Sequence, residues 1–247
     1  MAKPWQIVDS VETNEGILEL RQRGERDFLI TIDNRVLMNS SANMSEIVLA
    51  ELACASFKNK RNPRVLVGGL GMAFTLKSAL DNLPADAEVM VAELTSVVVE
   101  WCRGPLAPLT NAAVDDQRVT VLIEDVASVI GDAARKGKDN RFDAIILDLY
   151  EGPYEGNQEG DYLYGDGALS LSRAALKPGG VFAVWSEFPD RAFEKRLQAA
   201  GFSVNRQSPG RGGRRHVVYI ATKTSGPSGF GKPRSAGGSK GRRKHVR

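Results

Sequence analysis

The sequence predicts an α/β protein with a mostly parallel sheet, preceded by a small antiparallel β-meander. Residues 5–38 contain short runs of alternating polar and apolar residues separated by turn residues, which is typical of a meander. From residue 64 onward, strand-like runs alternate with helix-like runs, which indicates a parallel sheet with helices on both faces. We predict a meander over 1–42, an α/β domain over 43–222 and a basic tail over 223–247.

The individual elements follow from apolar spacing and turn residues. The predicted meander strands are QIVDSVE, GILELRQ, DFLITID and RVLMN, and the helix after them is MSEIVLAELACASF. Strand–helix units follow: RVLVGG with TLKSALDN, EVMVAEL with SVVVEWCRG, RVTVLIED with VASVIGDAARKG, FDAIILDL with ALSLSRAAL, and GVFAVWSE with DRAFEKRLQAA. The last strands, FSVNRQ and RRHVVYIAT, flank a basic glycine turn, so we predict a closing hairpin with one antiparallel strand.

Composition argues against several functional classes. No apolar run approaches the length of a membrane span, and MAKPWQIVDS does not begin a signal peptide, so we expect a cytoplasmic protein with no membrane contact. Cys54 and Cys102 are far apart in sequence and are interpreted as buried thiols. His216 and His245 are the only histidines, so we expect no metal site, and any general base should be a carboxylate. His216 and the tryptophans Trp101 and Trp185 are interpreted as structural residues.

The charge of the chain is unevenly distributed. The formal net charge is +3, but every charged residue after residue 222 is basic, and the rest of the chain carries −5. The segment SGPSGFGKPRSAGGSKGRRKHVR is rich in Gly, Ser and Pro and is expected to be disordered, because it has little apolar surface to bury. Such a tail could contact nucleic acid; a solubilising terminus is the alternative.

The candidate ligand site lies where the parallel strands end. Ligands of open α/β sheets bind at the carboxyl ends of the strands, and glycines after the first strand let a ligand approach the backbone. The candidate cofactor-binding residues are Gly68, Gly69, Gly71, Glu93 and Asp125. A carboxylate after the second strand can accept from both ribose hydroxyls, and one after the third from an adenine amino group. For Asp125 a helix N-cap is an equally good interpretation. A nicotinamide cofactor is disfavoured because Phe74 replaces the third glycine of its fingerprint.

From about residue 5 to residue 222 the chain resembles the spermidine synthase family, the polyamine aminopropyltransferases. The resemblance rests on VLVGGLGMAFTL, VAELTSVVVEWC, DQRVTVLIEDVASVI, FDAIILDL and LKPGGVFAVWSE, together with the FPD that follows. The meander and WSEFP are its more discriminating parts, and they point to a bacterial spermidine synthase-like subgroup. It implies a Rossmann-like fold of the class I S-adenosylmethionine-dependent transferases, with S-adenosylmethionine or its decarboxylated form as donor and an amine as acceptor. Assembly as a homodimer is a further possibility.

The resemblance also implies roles for two carboxylates. Asp148, after the fourth strand, corresponds to the family's catalytic acid, and Glu151 to the acid that holds the acceptor's second amine. The loop that follows, LYEGPYEGNQEGDYLYGDGA, is acidic and aromatic, and we expect it to cover an amine site. Within it we assign Tyr150 and Tyr164 to acceptor binding. The alternative for this loop is a solvated segment without a role.

The chain departs from the family's pattern at the glycine turn. The family carries an aspartate where this sequence has Met72, and its Tyr-His-Glu triplet is not found in MSEIVLAEL. An aspartate there would repel the carboxylate of intact S-adenosylmethionine, so its loss opens the pocket to both donors. We therefore keep open a methyltransferase acting on a small molecule or RNA, and a ligand-binding homologue without catalysis.

Overall fold

The computed structural model describes residues 3–153, 160–209 and 216–224. The described residues form two sheets. The first is the predicted meander, an antiparallel sheet in the order β1–β2–β3–β4. Its strands are β1 (Gln6–Thr13), β2 (Gly16–Arg23), β3 (Asp27–Ile32) and β4 (Arg35–Asn39).

The second sheet has seven strands in the order β10–β11–β9–β8–β5–β6–β7. The strands are β5 (Arg64–Gly68), β6 (Glu88–Glu93), β7 (Val119–Ile123), β8 (Phe142–Leu147), β9 (Leu176–Ser186), β10 (Phe202–Gln207) and β11 (Val217–Lys223). The pairs within β7–β6–β5–β8–β9 are parallel, and β11 runs antiparallel to both β9 and β10. The strand order reverses between β5 and β8, which places the ligand crevice at the ends of these two strands.

The helices lie where the apolar spacing predicts them. They are α1 (Met44–Cys54), α2 (Phe74–Asn82), α3 (Ser96–Arg103), α4 (Ala107–Thr110), α5 (Val126–Lys136), α6 (Asp166–Ala175) and α7 (Arg191–Ala199). The single turn α4 was not predicted. Strand β9 begins at Leu176 rather than Gly180, because the chain around the KPGG turn pairs irregularly with β8 at Phe142.

Apolar side chains form one hydrophobic cluster on each face of the large sheet. One contains residues of α5, α6 and α7, and the other residues of α1, α2 and α3. The second cluster also includes Leu18, Leu20, Phe28 and Ile30, which project from the inner face of the meander. The meander is therefore packed into the core of the α/β domain, and this packing brings its β1–β2 turn and β4 to the ends of the parallel strands.

Candidate active site

The glycine turn after β5 is held in a conformation that favours glycine. Gly69 has a φ of 84° and Gly71 a φ of 50°, both in the left-handed region. A Cβ on Gly69 would collide with the carbonyl oxygen of Asp148, and one on Gly71 would lie 2.9 Å from the side chain of Met38. Gly68 is buried, and a Cβ there would lie 2.7 Å from Val126. The turn therefore brings β5, β8 and the meander close together at the strand ends.

The side chain of Glu93, at the end of β6, accepts hydrogen bonds from the backbone near this turn. Its Oε2 accepts a hydrogen bond from the backbone N–H of Leu70 at 2.9 Å, and its Oε1 accepts one from that of Thr95 at 2.9 Å. Burial raises the pKa of the Glu93 carboxyl, and the backbone hydrogen bonds oppose that rise. Each carboxylate oxygen has a second lone pair, so the side chain keeps capacity to accept from a diol while it orders the turn.

Asp125 caps the helix that follows β7. Its Oδ1 accepts from the backbone N–H of Ala127 at 2.8 Å, and the residue has the extended backbone of an N-cap. The structure therefore gives Asp125 the capping role, one of the two interpretations drawn from the sequence. A contact with an adenine amino group stays a prediction.

Asp148 follows β8 directly and lies beside the glycine turn. Its Oδ2 accepts from the hydroxyl of Thr75, in the first turn of α2, at 2.5 Å. Burial of the carboxyl group, followed by the negative charge of Glu46, raises the pKa of Asp148 to about 7, while the bond from Thr75 opposes the rise. A carboxyl group with this pKa can accept a proton near neutral pH, as a general base must.

Glu46 is a carboxylate that the sequence analysis missed. It lies in the first turn of α1, is buried, and accepts a hydrogen bond from the hydroxyl of Ser45 at 2.6 Å. An acidic residue on the buried face of an otherwise apolar helix was the available signal, because carboxylates are rarely buried without a partner or a function. The α1 helix thus adds a second negative group beside Asp148.

On the acceptor side, Tyr150 and Glu151 lie near the β1–β2 turn of the meander. The Tyr150 hydroxyl donates to Oε2 of Glu15 at 2.7 Å, and burial followed by this bond raises the pKa of Tyr150. Glu151 is exposed. The meander therefore lies against the start of the loop that follows β8. The roles of Tyr150 and Glu151 in acceptor binding stay predictions.

Tyr164, also assigned to acceptor binding, is buried. Its ring packs edge-on against Phe193, and its hydroxyl donates to the backbone carbonyl of Glu151 at 3.0 Å. The ring of Tyr164 lies in the core and its hydroxyl has a protein partner, which favours a structural role, and its assignment to acceptor binding stays a prediction. Its role is to anchor the chain at Glu151.

Several sequence-based predictions lie outside the described residues. They concern Tyr154, Glu155 and Glu159 of the acidic loop, the arginines of the turn at 210–215, and the tail from residue 225. Among the described residues, no group of three or more His, Cys, Asp or Glu side chains could hold a metal ion, and no helix is long and apolar enough to cross a bilayer.

A comparison with models of protein families identifies the family to which this chain belongs. Residues 43–194 match the model described as the spermine/spermidine synthase domain. The chain belongs to the spermine/spermidine synthase family. The matched range begins just before α1 and contains Glu46, the glycine turn, Glu93 and Asp148, whereas the meander residues Glu15 and Met38 precede it.

Relatives of known name cover part of the family domain. The chain is 36% identical over 139 residues to polyamine aminopropyltransferase 1 of Hyperthermus butylicus, covering 54% of this chain and 46% of that protein. It is 32% identical over 152 residues to the polyamine aminopropyltransferase of Mycobacterium tuberculosis, covering 58% of this chain and 27% of that protein. The alignments thus span about half and about a quarter of these relatives.

Solved structures of the same family share the fold. Spermidine synthase from Thermotoga maritima superposes with a TM-score of 0.70 at 21% identity, covering 90% of this chain and 74% of that one. A spermidine synthase in complex with the transition-state analogue AdoDATO superposes with a TM-score of 0.69 at 20% identity. These matches confirm the Rossmann-like fold with an N-terminal antiparallel sheet.

Met72 lies in the glycine turn, at the position where the resemblance drawn from the sequence implies an aspartate. The side chain of Met72 is fully buried, and its backbone N–H donates to the thioether sulfur of Met38, on β4, at 3.1 Å. Met72 therefore makes an apolar core contact at this place, with the meander strand β4 covering the turn.

Proposed function

We propose that this chain transfers an aminopropyl group from decarboxylated S-adenosylmethionine to an amine acceptor. The observation that carries the proposal is Asp148, a carboxyl group with a pKa of about 7 at the end of β8, beside the glycine turn of a spermine/spermidine synthase domain. The relatives named as polyamine aminopropyltransferases support the same reaction class.

The chemistry requires a base. Alkyl ammonium groups have a pKa near that of lysine, so roughly one acceptor molecule in a few thousand is neutral at pH 7. The neutral nitrogen attacks the methylene carbon next to the sulfonium; the N–C bond forms while the C–S bond breaks, and its electron pair stays on the sulfur of the thioether product. Asp148 holds the acceptor ammonium, orients it and takes its proton before attack.

The donor is proposed to be held by the strand ends. Glu93 would accept from the ribose hydroxyls while it keeps its bonds to Leu70 and Thr95. Asp148 and Glu46 place negative charge beside the reacting centre, which attracts the amino group of the decarboxylated donor and repels the carboxylate of S-adenosylmethionine. We therefore favour the decarboxylated donor.

The test is a donor-by-acceptor matrix with the purified chain. Decarboxylated S-adenosylmethionine and S-adenosylmethionine are each paired with a series of diamines and polyamines, and release of the thioether is measured by chromatography. The proposal expects release only with the decarboxylated donor and an amine, and its loss in Asp148→Asn. Absence of transfer to every amine would overturn it.

A methyltransferase is the second candidate, favoured by one observation. Met72 stands where the family has an aspartate, so the turn itself carries no charge that repels the methionine carboxylate. A methyl acceptor that consumes S-adenosylmethionine in the same assay would replace the first proposal. A homodimer and contact of the basic tail with nucleic acid stay predictions.

A further inference from the structure

A partly buried hydrogen-bonded cluster lies near Asp148 and has no part in the mechanism so far. At its centre is the hydroxyl of Ser45, which is 4% exposed. This oxygen lies 2.6 Å from Oε2 of Glu46, 2.9 Å from Nδ1 of His216 and 3.2 Å from the indole nitrogen of Trp185. The four side chains come from α1, the end of β9 and the residue before β11, so only the folded chain assembles them.

Hydrogen-bond counting allows two arrangements of this cluster. The indole N–H of Trp185 can only donate, so Ser45 accepts from it in both. In the first arrangement Ser45 donates to an ionised Glu46 and accepts from a protonated Nδ1 of His216. In the second, a protonated Glu46 donates to Ser45, which donates to an unprotonated Nδ1. Every polar atom at the Ser45 junction is satisfied in both, and the two differ by one proton moved through the serine.

One end of this cluster is close to the candidate catalytic carboxyl and the other is closer to solvent. The hydroxyl of Thr75 donates to Oδ2 of Asp148 at 2.5 Å and lies 3.4 Å from the backbone carbonyl oxygen of Glu46, and the charge of Glu46 contributes to the raised pKa of Asp148. The side chain of His216 is half-buried. The His216 ring is held edge-on against Trp185, with 4.9 Å between ring centroids. An edge-on tryptophan and a serine bond together fix the orientation of the imidazole. The interpretation of His216 and Trp185 as structural residues therefore leaves this arrangement unexplained.

We propose that Glu46, Ser45 and His216 form a proton relay that removes the proton from the Asp148–Glu46 pair after each aminopropyl transfer. The inference rests on the proposed function, because it is this reaction that delivers a proton to the pair. Glu46 is the member of the pair that connects to the relay, and Ser45 and His216 act through Glu46 without contact with the substrates.

The steps balance in atoms and charge. The acceptor ammonium gives one proton to the Asp148–Glu46 pair and becomes the attacking amine. At rest Glu46 is ionised and His216 carries its proton on Nδ1. When Glu46 gains a proton, the imidazole exchanges to the Nε2–H tautomer, and the proton on Glu46 passes to the oxygen of Ser45 as the serine's own proton passes to Nδ1 of His216. The imidazolium then releases its Nε2 proton to solvent, which leaves an ionised Glu46 and the Nδ1–H tautomer and so restores the starting state. No further reactant is needed.

The first test locates the imidazole proton and needs no substrate. His245→Asn leaves His216 as the single histidine, and ¹⁵N NMR then reports which ring nitrogen carries the proton. At pH 8 the relay expects the Nδ1–H tautomer, and expects Ser45→Ala to shift the ring toward the Nε2–H form. Ser78→Ala is the matched control, because Ser78 is also buried and donates to a carbonyl of α1, that of Ile47. The same tautomer in the Ser45→Ala and parent proteins would overturn the relay, whatever the fate of the proposed reaction.

The second test separates proton transfer from structure. His216→Ala is expected to lower kcat for aminopropyl transfer at least tenfold with little change in the donor's KM, and added imidazole is expected to restore most of the lost rate. Ser45→Thr, which keeps the hydroxyl, should retain more activity than Ser45→Ala, and Ser78→Ala should remain near the parent rate. A near-normal kcat in His216→Ala, or a loss that imidazole does not restore, would overturn the relay. If the parent transfers no aminopropyl group, the proposed function fails, and with it the physiological role of the relay, although the NMR result stands by itself.

Discussion

The rate of aminopropyl transfer should rise with pH as Asp148 loses its proton. With a pKa of about 7, about one tenth of the carboxyl groups of the free protein are ionised at pH 6 and about nine tenths at pH 8, so kcat/KM should rise about tenfold between them. The rise should level off above pH 8. The assay is thioether release at subsaturating donor and acceptor concentrations between pH 5.5 and 9, because kcat/KM reports the pKa of the free protein.

Variants of Asp148 and its neighbours should change the rate or shift the pH at which it rises. Asp148→Asn keeps the shape but not the base, and it should lower kcat by roughly a hundredfold or more, with a pH-independent residual rate. Glu46→Gln removes the charge that raises the pKa of Asp148, so the rise should move to lower pH. Thr75→Val removes the hydrogen bond that lowers the pKa of Asp148, so the rise in rate should move to higher pH.

Thermal stability provides an independent check on the same carboxyl group. Its pKa is higher in the folded protein than the ordinary aspartate value, so the folded state loses stability relative to the unfolded state as pH rises from about 4 to about 7. Asp148→Asn should therefore have a higher Tm than the parent protein at pH 8, and the difference should shrink at low pH. A kcat/KM that does not vary between pH 6 and 8 in the parent, or full activity in Asp148→Asn, would refute the assignment of Asp148 as the base.

Three further predictions concern the donor site and the loop root. Glu93→Ala should weaken binding of the donor and its thioether product strongly, measured by calorimetry, because it removes the ribose acceptor and leaves two backbone N–H groups of the turn unpaired; unchanged affinity would contradict the donor site. Asp125→Ala should cost about 1 kcal/mol of stability through loss of the N-cap, whereas Asp125→Ser should keep the cap; weaker donor binding in the serine variant would reveal an adenine contact. Tyr164→Phe should raise the acceptor's KM more than it lowers kcat, because it frees Glu151 from its anchor; an unchanged KM would show that the anchor does not matter.

Much of the fold follows from local sequence patterns. Alternation at period two predicts the meander strands, and the strand–helix rhythm from residue 64 predicts each long element of the second sheet, because both depend on which residues of one segment face the core. The β9 start and the helical turn α4 were missed, because an irregular pairing with β8 and a single helical turn leave no periodic signal.

The sequence by itself determined which carboxylates end the strands. Glu93 and Asp148 were placed correctly because parallel strands bring their carboxyl ends to one edge of the sheet, whatever the details of packing. Only the tertiary structure decided which other side chains lie near these carboxylates. Glu46 and Ser45 on α1, Trp185 on β9 and His216 beside β11 are separated by up to 171 residues, and they converge because α1 packs across these strands. The burial of Tyr164 was decided in the same way, since a tyrosine in a loop carries no local sign of whether its ring faces solvent or the core.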